Sequence, residues 1–283
     1  MIDISKIDYS MFDRPEILMF LFHPRPEWNV NQSIDGVVDR LISVENEVQI
    51  GARFHLAGKS SPNILFFHGN GEIVADYDDM GQLYRQMDIN FIPVDYRGYG
   101  RSTGSPSVTA MMKDCHVIFD HIQNWLAEKK HDGPFIVMGR SLGSASALEL
   151  VKYYGTQIDG LIIESGFSHV GPLLELLGIR MARTELRGEG GLHNVEKIRS
   201  FDQPTLIIHA ENDHIIPFHE GQALYDACTA RDKRLLKIPG ADHNSIFLHG
   251  IQKYMAAIKE LVNVIKDQGS FHPDKVPPSS NDT

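Results

Sequence analysis

The chain has 283 residues, 42% of them hydrophobic, enough to bury a sizeable core and suited to one α/β domain. With 27 Lys and Arg against 37 Asp and Glu, the formal charge is −10 at pH 7, which argues against neutralising a phosphate backbone, so no nucleic-acid partner is expected. The two cysteines, Cys115 and Cys228, lie far apart without C-x-x-C spacing; no disulfide framework or zinc site is expected, and a reducing, cytoplasmic setting fits.

The first residues lack a basic region followed by a cleavage signature, and the most apolar stretch near the start, 17–22, is far shorter than a bilayer requires. No secretion signal and no transmembrane span are expected. Core packing is the favoured reading of 17–22, with an interfacial anchor or a hydrophobic pocket edge as alternatives.

Residues 37–44 and 47–56 alternate enough to predict an antiparallel pair. A βα rhythm follows: strand 63–67, helix 73–87, strand 91–94, helix 110–128, strand 135–138, helix 142–154 and strand 160–163. Downstream come strand 205–209, helix 221–229, strand 234–238 and helix 246–265. Apolar runs of this kind alternating with helices predict a mostly parallel sheet covered on both faces. Residues 1–267 are therefore read as one domain.

Between 166 and 203 the rhythm breaks for longer than an ordinary connection. The first part, 173–179, is apolar at helical spacing, and 180–191 is charged and glycine-rich. A small cap over the carboxyl ends of the strands would account for both, as would a helix packed on the sheet followed by a loop. Residues 268–283, poor in apolar side chains and rich in Pro and Ser, are expected to be a disordered tail.

Two pentapeptides read Gly-x-Ser-x-Gly, around Ser102 and around Ser141. The motif has chemical meaning only where a strand enters it and a helix leaves it, so that a sharp turn presents the hydroxyl. Ser141 follows the apolar run 135–138 and precedes a helix rich in small residues. Ser102 sits among three glycines and a proline, which predict a turn.

A serine hydroxyl is a weak nucleophile at neutral pH and needs a base to take its proton and a carboxylate to orient that base. After a strand-turn-helix nucleophile, the acid and then the histidine are expected on loops following later strands. Asp213, after strand 205–209, and His243, after strand 234–238, satisfy that order. Glu164 and Glu211 compete as acids, and His209 and His214 compete as bases. Asp242 is read as a turn residue and His68 as a buried brace. For the oxyanion of an acyl-transfer intermediate, the backbone N–H of Leu142 is one expected donor. The loop after strand 63–67 would supply the other, Asn70 ahead of Gly71.

Taken together, His68 to Gly71, Asp95 to Ser102, Gly139 to Gly143, Asp213 with its flanks and His243 after Pro-Gly-Ala-Asp resemble the α/β-hydrolase superfamily, specifically its Bem46-like and serine-aminopeptidase-type hydrolases. The resemblance spans nearly the whole chain. It implies the α/β-hydrolase fold, a Ser141–Asp213–His243 triad, an oxyanion loop at Asn70, and neither metal nor organic cofactor. It also implies hydrolysis of an ester, thioester or amide. Asn70-Gly71 replaces the glycine run of one lipase subgroup, and the short insertion suggests small or medium acyl substrates. The alternatives are an amidase or aminopeptidase-type activity, and a non-catalytic scaffold or ligand receptor built on the same fold.

Overall fold

The computed structural model describes residues 2–28, 36–176, 178 and 192–269. Eight strands form one sheet: β1 (Val37–Glu45), β2 (Val48–His55), β3 (Asn63–Phe67), β4 (Asn90–Val94), β5 (Phe135–Arg140), β6 (Gly160–Glu164), β7 (Thr205–Ala210) and β8 (Lys233–Ile238). Their spatial order is β1-β2-β4-β3-β5-β6-β7-β8. The β1–β2 and β2–β4 pairs are antiparallel, and every later pair is parallel.

Period-two alternation sorts the apolar strand residues onto the two faces. Leu65, Phe67, Val137, Leu161, Ile163 and Ile207 join one core cluster, while Ile64, Phe66, Ile136, Met138, Ile162 and Ile208 join another. Burial on both sides explains why the central strands read as continuous apolar runs.

The helices are α1 (Pro15–Leu21), α2 (Asp78–Gln86), α3 (Val108–Lys129), α4 (Gly143–Tyr154), α5 (Val170–Leu176), α6 (Asn194–Arg199), α7 (Phe218–Ala227) and α8 (Ile246–Gly269). Helix α3 begins two residues before its predicted start, because the Ser107 hydroxyl accepts from the Ala110 N–H at 3.1 Å and caps the first turn. The predicted helix 73–87 divides into a 3-10 turn, Val74–Tyr77, and α2. The Asp95 carboxylate accepts the Val74 N–H at 2.9 Å, tying the start of that turn to the residue after β4. The predicted helix 221–229 begins earlier, at Phe218 directly after Pro217.

The apolar stretch 17–22 forms most of α1 and its exit. Ile17, Leu21 and Phe22 are buried, whereas Met19 is 64% and Phe20 39% exposed, so only one stripe of the helix joins the core. The two ends of the predicted insertion contribute Phe167, Val170, Leu174, Leu192 and Ile198 to the core, and α6 packs on α4 and α7. Residues 177 and 179–191, central to the expected cap, and 270–283, nearly all of the expected tail, lie outside the described residues. Cys115 and Cys228 are buried free thiols. Among the described residues no helix is long and apolar enough to cross a membrane.

Candidate active site

Strand β5 ends at Arg140, and Ser141 takes a φ of +51° before α4 begins at Gly143. That left-handed backbone is uncommon for a residue with a side chain and is the sharp turn expected of a nucleophile elbow. The Ser141 N–H donates to the Glu164 carbonyl at the end of β6, 2.8 Å away. Both flanking glycines are required by close backbone approach. A Cβ on Gly139 would fall 2.3 Å from the Gly143 carbonyl oxygen, and one on Gly143 would fall 2.1 Å from that of Phe67.

The loops after β7 and β8 are laced together. Glu211 N–H donates to the Ile238 carbonyl at 3.1 Å, Asn212 N–H to that of Ala241 at 2.8 Å, and Gly240 N–H to the Glu211 carboxylate at 3.0 Å. Asp242 accepts from Asn244 N–H at 3.0 Å and from the Ser245 hydroxyl at 2.8 Å, a side-chain turn that carries His243 forward. These bonds deliver Asp213 and His243 to the same place from different strands.

Asp213 Oδ2 lies 2.7 Å from His243 Nδ1, and His243 Nε2 lies 3.0 Å from Ser141 Oγ. All three residues are buried. Asp213 Oδ1 accepts the N–H groups of Ile215 and Ile216 at 3.0 and 2.8 Å. Burial works to raise the Asp213 pKa, but the hydrogen bond and charge of His243, with the Ile216 N–H, outweigh it and hold the carboxyl below the usual carboxylate range. An ionised carboxylate only accepts, so His243 Nδ1 must carry the proton and donate it. In the neutral ring that leaves the Nε2 lone pair facing the Ser141 hydroxyl, which donates to it. This is the tautomer a general base needs.

The competitors are occupied elsewhere. Glu164 accepts from Arg140 Nη1 and from the Tyr254 hydroxyl, each at 2.7 Å, and Glu211 serves the Gly240 turn. His209 is fully buried with Nε2 2.7 Å from the Ile216 carbonyl oxygen, bracing the acid's loop, and His214 is exposed. His68 is buried with Nδ1 2.8 Å from the Gly69 carbonyl oxygen. The Ser102 hydroxyl accepts the Gly51 N–H at 2.9 Å, between Gly100 at φ +55° and Gly104 at φ +78°, as a turn residue.

The two segments expected to carry the oxyanion donors are neighbours. Gly143 abuts the Phe67 and His68 carbonyls, so the start of α4 lies against the exit of β3, where Asn70 follows. Among the described residues the N–H groups of Asn70 and Leu142 have no other acceptor. The Asn70 side chain is fully engaged: Oδ1 accepts from His23 N–H at 2.7 Å and the Tyr99 hydroxyl at 2.8 Å, and Nδ2 donates to the Phe20 carbonyl at 3.2 Å. The exit of α1 therefore fixes the loop that carries Asn70, a role that its apolar composition does not signal.

Sequence reasoning also passed over Arg140, inside the Gly139 to Gly143 motif, and Glu72, directly after His68 to Gly71. An arginine ending a fully buried strand demands buried acceptors, and that was the available signal. Arg140 Nε donates to Glu72 Oε1 at 2.8 Å. Burial favours a protonated Glu72, yet the Arg140 guanidinium and the Tyr77 hydroxyl prevail and hold its pKa at about 2. Among the described residues no group of three or more His, Cys, Asp or Glu is arranged to hold a metal ion.

Residues 58–187 match the family described as Serine aminopeptidase, S33. The lysophosphatidylserine lipase ABHD12 of Xenopus tropicalis is 32% identical over 229 residues, covering 74% of this chain and 57% of that protein. The human alpha/beta hydrolase domain-containing protein 17C is 26% identical over 248 residues, covering 84% and 70% of the two chains. The chain thus spans between 51% and 70% of the length of such relatives. Among solved structures, the Pyrococcus furiosus esterase Pf2001 superposes with a TM-score of 0.68 at 14% identity, over 86% of this chain and 99% of that one.

Proposed function

The chain belongs to the α/β-hydrolase superfamily, and on that premise we propose that it is a serine hydrolase cleaving an ester or thioester of a small or medium acyl group. The observation that carries the reading is the continuous chain from Asp213 through His243 to Ser141, with links of 2.7 and 3.0 Å. Relatives whose names describe lipases and an esterase support an acyl ester over other acyl derivatives.

In the proposed reaction His243 Nε2 takes the proton as Ser141 Oγ attacks the acyl carbonyl. Asp213 stabilises the imidazolium that forms and keeps the ring oriented. The carbonyl oxygen becomes an oxyanion facing the N–H groups of Asn70 and Leu142, the second backed by the amino end of α4. His243 then protonates the leaving alcohol or thiol, which departs and leaves Ser141 acylated. Water, deprotonated by His243, releases the acid and restores the hydroxyl.

An aminopeptidase-type activity would need a free carboxylate to hold the substrate's amine. Glu72, Glu164 and Asp213 are each committed to a cationic or hydrogen-bonded partner, which favours the ester reading. A panel of acyl esters and thioesters of increasing chain length tests it, with Ser141→Ala as the blank. Turnover of short and medium acyl esters that vanishes in the blank is expected. Equal or faster turnover of matched aminoacyl amides would overturn the ester assignment.

A further inference from the structure

Arg140 is buried at the end of β5, directly before the nucleophile, and its guanidinium reaches three separate pieces of the site. Nε donates to Glu72 Oε1 at 2.8 Å, Nη1 to Glu164 Oε1 at 2.7 Å, and Nη2 to the backbone carbonyl of His243 at 3.0 Å and to Asn244 Oδ1 at 3.4 Å. Each of these partners holds something else. Glu72 Oε2 accepts the Gly69 N–H at 2.6 Å, in the loop that carries Asn70. Glu164 offers its backbone carbonyl to the Ser141 N–H at 2.8 Å, and its second carboxylate oxygen accepts the Tyr254 hydroxyl of α8 at 2.7 Å.

From this geometry we infer that Arg140 is a positioning residue that sets the distance between nucleophile, base and oxyanion loop by clamping all three with one planar guanidinium. The inference rests on the triad reading above and deepens it. Structural packing alone would be met by one counter-ion for one buried cation; here the third arm goes to a backbone carbonyl of the base itself. A guanidinium offers five donors in a fixed fork, so the spacing of its partners is rigid, whereas an ammonium is a single compact point that cannot span them. The His243 ring is held at its Nδ1 edge by Asp213, and its backbone is held by Arg140. Together the two contacts leave the imidazole little freedom to swing away from Ser141.

Small misplacements of reacting groups cost about 100-fold in rate. Arg140→Lys keeps a cation between Glu72 and Glu164 but loses the reach to His243. It should lower kcat by about 10- to 100-fold with KM within about threefold of the wild-type value, because the substrate pocket is untouched and the reacting groups are not. A second variant, Arg140→Met with Glu164→Gln, removes the cation and a buried carboxylate together, while the glutamine can still accept the Tyr254 hydroxyl. If Arg140 only balanced charge, this double variant would recover wild-type kcat. As a clamp, its loss should leave kcat depressed with KM little changed, and the rate of Ser141 labelling by a fluorophosphonate should fall in parallel. Wild-type kcat in either variant overturns the clamp while leaving the triad reading intact. A wild-type protein with no Ser141-dependent turnover overturns both.

Discussion

The Ser141 N–H donates to the Glu164 carbonyl at 2.8 Å while Ser141 itself holds a φ of +51°. The bond keeps a side-chain-bearing residue in a backbone region that costs about 1–2 kcal/mol without glycine. Two inactive variants should therefore differ in stability. Ser141→Gly, which relieves the strain, should exceed Ser141→Ala by about 1 kcal/mol in chemical denaturation, once glycine's greater freedom in the unfolded chain is discounted. Equal midpoints would show that the turn stores no strain.

Asp213→Asn preserves the acceptor for the Ile215 and Ile216 N–H groups, so the fold should survive. The amide nitrogen would instead donate to His243 Nδ1, forcing the ring proton onto Nε2, where it opposes the Ser141 hydroxyl. A fall in kcat of about 10,000-fold with near-native thermal unfolding is expected, the scale known for this change in other serine hydrolases. Loss of less than about tenfold would point to a different orienting acid.

How much of this site was legible in the sequence differs residue by residue. Ser141 is marked by its motif between a strand and a helix, and Asp213 and His243 by their order after later strands whose apolar runs are visible. The choice of Asp213 over Glu164 depended on that order as well, and Glu164 is turned instead toward Arg140 and Tyr254. The Arg140 clamp was not legible, because its partners come from positions 72, 164, 243 and 244 and nothing local in the sequence pairs them. Nor was the long-range bond from Val74 to Asp95 that caps the 3-10 turn before α2. Local periodicity identifies elements, while contacts between distant segments lie outside its reach.

Asn70→Ala should expose the link between α1 and the site. It removes the side-chain bonds to Phe20, His23 and Tyr99 but not the backbone N–H proposed to face the oxyanion. Deleting an oxyanion donor outright typically costs about 100- to 1000-fold in kcat. A smaller drop, about 10-fold, accompanied by faster proteolysis of the segment before residue 28, is the expected result. Unchanged kcat with a released segment would separate the two.

Acid should destabilise the fold in two stages. Burial, reinforced by Arg53 and Arg85, pushes His55 down from 6.5 to about 4, so the unfolded chain takes up that proton first and stability is lost as pH falls through this interval. Glu72 is held at about 2 against an ordinary 4.5; its contribution is complete above 4.5 and is lost as pH falls from there toward 2. Urea midpoints measured from pH 7 to pH 3 should decline across both windows. His55→Leu should lessen the fall in the upper one, leaving the share of His209, whose pKa burial also lowers. A midpoint that falls as steeply as the wild type's between pH 6.5 and 4 in that variant would contradict the assignment.

The most direct measurement is intact-protein mass spectrometry after treatment with a fluorophosphonate, followed by peptide mapping. One adduct should form, carried by the peptide containing Ser141, and it should be absent from Ser141→Ala and strongly slowed in His243→Ala. An adduct that persists in Ser141→Ala, or that maps to Ser102, would contradict the proposed nucleophile.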